Sequence, residues 1–118
     1  MYCHSVPDVV TQISHITVMF THNIIGEHIP PFVILPKLEN CPNEIKNKVN
    51  FGQIWCCSTQ SGWQNRNSFL LWTINFINWL SAYRLTLDPS IRDSKVVLLL
   101  DGHTFIENPK AIFILNKN

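Results

Sequence analysis
The sequence predicts an α/β fold, a mixed β-sheet with helices packed on it. Three observations carry that expectation. Residues 16–21 alternate, with Ile16, Val18 and Phe20 on one face and Thr17, Met19 and Thr21 on the other, the period of a strand. Phe69, Trp72, Phe76, Trp79 and Tyr83 recur at the spacing of one helix face, which predicts a long amphipathic helix. Val96, Val97, Leu98, Leu99 and Leu100 then form a continuous apolar run that stops at Asp101-Gly102-His103. Such a run bounded by turn residues reads as a strand buried on both faces.

The elements follow in order. Met1 to Ser14 carries no clear pattern, and Pro7-Asp8 reads as a turn. Residues 16–21 form the first strand, with the Ile16, Val18 and Phe20 face expected in the core. A connection containing Gly26 leads through Pro30-Pro31 into a second strand over residues 32–35, close enough to pair as a hairpin. Residues 36–50 are polar and read as a loop with a helical turn near 44–48. Residues 53–57 form a third, short strand. Gln64 or Asn65 caps the long helix. The polar stretch 84–94 holds Asp88-Pro89 and is a loop. Residues 96–100 form the fourth strand, and Asn108-Pro109 starts a last helix as N-cap and first-turn proline. Three consecutive antiparallel strands, a helical crossover and a further parallel strand make up the expected sheet.

Composition bounds the function. The 118 residues suit one domain or part of one. At 46% hydrophobic and 14% charged the chain is too apolar for disorder, and part of its apolar surface is expected to be covered by further chain or a partner. A net charge of +1 gives no strong field toward nucleic acid or membrane. Cys3, Cys41, Cys56 and Cys57 contain no C-x-x-C pair, so neither a zinc site nor a disulfide scaffold is expected, and reduced cysteines suit an intracellular protein. The most apolar window, residues 69–80, is interrupted by Thr73, Asn75 and Asn78 and is too short to span a bilayer. No leader-like apolar segment opens the chain.

Four blocks of sequence resemble the DDE superfamily endonuclease domain of pogo, Tigger and Jerky-type transposases and their domesticated relatives. His15-Ile16-Thr17-Val18 is similar to the family's "hiTv" strand. The stretch 26–35, G-E-H-I-P-P-F-V-I-L, is similar to its Gly-x-x-x-Pro-Pro hairpin. Ser61-Gly62-Trp63, followed by Phe69 and Trp72, is similar to its start of the long helix. Leu98-Leu99-Leu100-Asp101-Gly102-His103 is similar to its "LllDgH" strand end. The blocks come in the family's order over most of the chain.

The resemblance implies a ribonuclease H-like sheet, truncated at both ends, in a single partial domain spanning residues 1–118. It implies two-metal chemistry on DNA phosphodiesters, in which three carboxylates hold Mg²⁺ or Mn²⁺. Asp101 would be the second of these, a catalytic metal ligand, and His103 a residue at the substrate edge. It also implies DNA as partner and a nuclear location. The sequence departs from the family as well. The first Asp lies upstream of the "hiTv" strand in the family, where this chain has only Asp8, beside Pro7. The third acid lies well beyond the Asp101 strand; Glu107, beside the last helix, is not assigned to that role. Thr104-Phe105-Ile106 follows His103 where a Ser is usual, and Ile25 stands where an acid precedes the hairpin Gly.

With one of three ligands, the chain is expected not to cleave DNA by itself. The alternative is a non-catalytic DNA- or protein-binding module of the same fold. An unrelated α/β domain in which Asp101-Gly102 is an ordinary turn is the third reading. A sheet lacking its first acidic strand would leave apolar surface bare, which predicts poor solubility or self-association.

Overall fold
The computed structural model describes residues 15–36, 43–101 and 108–118. Strand β1 (Thr17–Met19) pairs antiparallel with β2 (Phe32–Pro36), and β2 pairs with β3 (Trp55–Thr59), giving the order β1-β2-β3. Helix α1 (Asn43–Asn50) lies in the chain between β2 and β3, α2 (Arg66–Arg84) follows β3, and α3 (Pro109–Lys117) ends the chain. Helix α2 packs on β3, and α3 packs on α2. The α/β class of the sequence reading is therefore present, as a mixed sheet with helices packed on it.

Two features of the expected sheet are corrected. The β2–β3 pair is parallel, with Phe32 opposite Trp55 and Ile34 opposite Cys57, so only β1–β2 is antiparallel. The stretch read as a loop with one helical turn instead contains an eight-residue helix, and a connection of that length returns the chain to run alongside β2. Residues 96–100 are not a strand in the described structure: they have no regular secondary structure. Of the five, Leu98 alone packs against the core cluster. Among the described residues the apolar run that reads as a doubly buried strand has no neighbouring strand to pair with, and hydrophobicity alone does not supply one.

The sheet also turns its faces the other way round. Cross-strand partners share a face, and Thr17, Met19, Phe32, Ile34, Trp55 and Cys57 are linked by the pairing. Met19, Trp55 and Cys57 pack against the cluster that α2 builds with Phe32 and Ile34. The face expected in the core points the opposite way: Ile16, Val18 and Phe20 are 47%, 43% and 76% exposed. Alternation identifies two faces of a strand but not which one is covered, and α2 takes the Thr17 and Met19 side.

Helix α2 forms where the periodicity places it. Asn65 is its N-cap: its side chain accepts from the Ser68 N–H at 2.8 Å, while the Ser68 hydroxyl accepts from the Asn65 N–H at 2.8 Å. This reciprocal box satisfies two of the backbone donors that a helix start leaves open. Asn65→Ala should lower stability by about 1 kcal/mol. Urea denaturation measures it, and an unchanged midpoint would show that the cap contributes nothing. Phe69, Trp72, Phe76 and Leu80 are buried, and Ile29, Phe32, Ile34 and Ala111 complete the core. The aromatic rings form one ladder, with centroids 5.8 Å apart for Phe69–Trp72, 5.0 Å for Trp72–Phe76, 6.3 Å for Phe76–Trp79 and 4.8 Å for Trp79–Tyr83. Thr73 is buried on the same helix because its hydroxyl donates to the Phe69 carbonyl at 2.8 Å.

Asn108 caps α3 as its sequence position predicts. Its Oδ1 accepts from the Lys110 and Ala111 N–H groups, and its Nδ2 donates to the Arg66 carbonyl at 2.9 Å. One buried side chain thus starts α3 and ties it to the first turn of α2. At the other end, the Tyr83 hydroxyl donates to Glu27 at 2.9 Å, joining α2 to the β1–β2 hairpin. Asn23 also donates to Glu27, and these bonds, Asn23 foremost, hold the Glu27 carboxyl below its ordinary range. No helix among the described residues is long and apolar enough to cross a membrane.

Candidate functional site
A groove of about 1330 Å³ runs beside β1, an edge strand among the described residues. Its walls come from three parts of the chain: residues 15–24, residues 63–66 and residues 97–101. Three of the four sequence blocks that carry the family resemblance therefore meet at one place.

Two of these blocks are locked together at the groove's side. The Thr17 hydroxyl donates to the Gly62 carbonyl at 2.7 Å. A hydroxyl has one hydrogen, so His15 Nε2, 3.0 Å from the same oxygen, must be the donor to it. That assigns the proton to Nε2 of His15. The His15 ring stacks on the Trp63 indole, with centroids 3.5 Å apart and planes 12° from parallel. Gly62 sits between them at φ +80°, a left-handed conformation. A Cβ there would overlap the His15 carbonyl oxygen and lie 3.2 Å from the Pro36 nitrogen. The Thr59 hydroxyl closes the turn by accepting from the Gly62 N–H and donating to the Trp63 carbonyl. Trp63, just before α2, is exposed and stacks on His15 rather than packing in the core.

The cluster of His15, Thr17, Thr59, Gly62 and Trp63 is what the sequence reading missed. The signal lay in the His15-Ile16-Thr17 and Ser61-Gly62-Trp63 blocks. Nothing in either predicts a bond between residues 45 apart in the chain.

Asp101 lies at the end of the groove wall formed by residues 97–101 and is exposed. Among the described lining residues it is the single carboxylate; Arg66 is the one permanently charged base, and His15 and His22 add imidazoles. His103, Asp8 and Glu107 lie outside the described residues. Of the other described acids, Glu27 is engaged by Asn23 and Tyr83, and Asp88 closes its own turn through Ser90. Among the described residues no group of three His, Cys, Asp or Glu side chains is placed to hold a metal ion. Mg²⁺ takes hard oxygen ligands in octahedral geometry, so one exposed carboxylate beside imidazoles does not make a two-ion site. The Cys57 thiol is no better placed as a nucleophile. Burial first, and then the adjacent Cys56, push it up to about 11, where little thiolate forms.

Lys46 and Lys48 sit exposed on α1 and are not part of the groove. Comparison with protein-family models, with curated proteins and with solved structures yields no match for this chain.

Proposed function
We propose that this chain is a ribonuclease H-like module of the DDE endonuclease type. On this reading Asp101 is the second carboxylate of a DNA-cleaving site whose other two acids are not supplied by these residues. The observation that carries the reading is the convergence of the "hiTv" block, the Ser-Gly-Trp block and the Asp101 segment on one groove. Asp101 holds Mg²⁺ or Mn²⁺ weakly, because a single carboxylate leaves most of the ion's shell as water. The resemblance gives His103, two residues further along the sequence, a role at the substrate edge. DNA in the nucleus is the substrate class, and the chain alone leaves it uncut.

The test is a plasmid-nicking assay with Mg²⁺ or Mn²⁺. Supercoiled plasmid should persist at every protein concentration. Nicking by the pure chain that disappears in Asp101→Ala would overturn the inactivity and establish a complete site.

The exposed Ile16, Val18 and Phe20 face favours a second reading, a non-catalytic binding module of the same fold. An apolar face points to protein rather than DNA as its partner. DNA affinity that falls steeply with salt in the absence of metal would instead make it a DNA-binding module.

A further inference from the structure
The hairpin that joins β1 to β2 holds a pair of histidines that the proposed function does not use. His22 and His28 stand directly opposite each other as bridge partners on antiparallel backbone. The Ile29 N–H donates to the Thr21 carbonyl at 3.1 Å, and the Asn23 N–H donates to the Glu27 carbonyl at 2.9 Å. These two bonds flank the pair and neither belongs to it. His22 and His28 therefore form the narrow, non-hydrogen-bonded kind of pair, in which Cα atoms lie about 4.5 Å apart and both side chains leave on the same face. Both histidines are exposed, and both line one cavity of about 370 Å³ beside Phe20, Gly26, Ile29 and Pro31.

We propose that this pair chelates a divalent transition-metal ion, of the kind of Cu²⁺, Ni²⁺ or Zn²⁺, through one imidazole nitrogen from each strand of the hairpin. Two such nitrogens held about 2.0–2.1 Å from one ion lie roughly 3.3 Å apart in tetrahedral geometry. Rings rooted on a narrow cross-strand pair reach that separation by side-chain rotation. The tautomer of His22 is already suited to the task. Its Nδ1 lies 3.1 Å from the Asn23 carbonyl, which can only accept, so Nδ1 carries the proton and Nε2 keeps its lone pair. Metal-ligating histidines are oriented by this kind of bond from the other ring nitrogen. The turn between the two is braced as well. The Asn23 Oδ1 accepts from the Ile25 and Glu27 N–H groups, and the Gly26 N–H donates to the Asn23 carbonyl. The backbone separation of the pair is thus set before an ion arrives, which lowers the ordering cost of binding.

The donor set selects the ion. Glu27 is engaged by Asn23 and Tyr83, so the pair offers two imidazoles and water completes the shell. Imidazole suits Cu²⁺, Ni²⁺ and Zn²⁺, whereas Mg²⁺ and Mn²⁺ favour oxygen ligands. Cysteine spacing, which points to no metal site, gives no hint of this one, because its two ligands meet only through the hairpin register. The chelate does not rest on the DDE reading: it uses neither Asp101 nor DNA.

Titration of the isotopically labelled full chain with Ni²⁺ tests this, because the ion is paramagnetic and broadens the amide signals nearest to it. Broadening centred on residues 22–28 is expected, and an excess of Mg²⁺ should leave it in place. His22→Thr and His28→Thr should each weaken it by at least about tenfold, since loss of a supporting group alone costs a metal site about 10–100-fold. Threonine suits a strand and both positions are exposed, so the fold is expected to survive, and the amide spectrum without metal shows whether it does. The double variant His28→Thr/Lys48→His keeps the number of histidines but moves one to the exposed face of α1. It should bind as weakly as His28→Thr. Broadening centred elsewhere, no broadening at all, or a double variant that binds like the parent would overturn the proposal.

Discussion
Replacing Gly62 with alanine should destabilise the chain by about 3–5 kcal/mol, enough to unfold much of a domain of ordinary stability. Two costs add. The backbone at φ +80° is strained for any residue with a Cβ. The added methyl also meets the backbone of His15 and Pro36, neither of which can rotate away as a side chain would. Relief requires β1 to move off the start of α2, which breaks the Thr17–Gly62 hydrogen bond and unstacks His15 from Trp63. Gly26 is the internal control. It has a similar φ of +88°, but a Cβ there meets nothing within 4 Å. Gly26→Ala should therefore cost only the conformational part, about 1 kcal/mol. Equal costs at the two positions in denaturant unfolding would mean that β1 and the Gly62 turn are not packed together.

Trp72→Ala should cost a similar amount, about 3–5 kcal/mol, by opening a cavity in the middle of the aromatic ladder. Trp72 is 1% exposed and stacks between Phe69 and Phe76. Its indole Nε1 is buried without a hydrogen-bond partner, and such an orphaned donor costs about 1–3 kcal/mol. Trp72→Phe removes that donor along with part of the ring. The two effects oppose each other, so this variant should lose less than half of what Trp72→Ala loses. A Trp72→Ala variant as stable as the parent would show that the helix does not pack on the sheet by this face.

Both positions show where sequence and structure part. The Trp72 environment was legible, because a helix repeats its buried face every three or four residues and the aromatics mark it. The caps at Asn65 and Asn108 were legible for the same local reason. The Gly62 contact was not, because it joins positions far apart in the chain. Strand direction was not legible either. The β2–β3 connection carries helix α1, and its polar sequence reads equally as loop. Which face of β1 is covered depends on where α2 lands, so the apolar Ile16, Val18 and Phe20 set was assigned to the wrong side. At residues 96–100 hydrophobicity predicts a strand that the structure does not contain, since pairing needs a second backbone, which no local pattern reveals. Asp101 was singled out as a segment-end carboxylate, and it does lie at the end of a groove wall. His103 lies outside the described residues, so its place beside Asp101 rests on sequence alone.

The central proposal is that Asp101 is one metal-binding carboxylate in a groove whose described lining holds no other carboxylate. Titrating the isotopically labelled chain with Mn²⁺ and mapping paramagnetic broadening in its amide spectrum tests this most directly. The account predicts weak, millimolar-range broadening centred on Asp101 and spreading to neighbouring groove residues, lost in Asp101→Asn. Broadening centred elsewhere, or unchanged by Asp101→Asn, would contradict it.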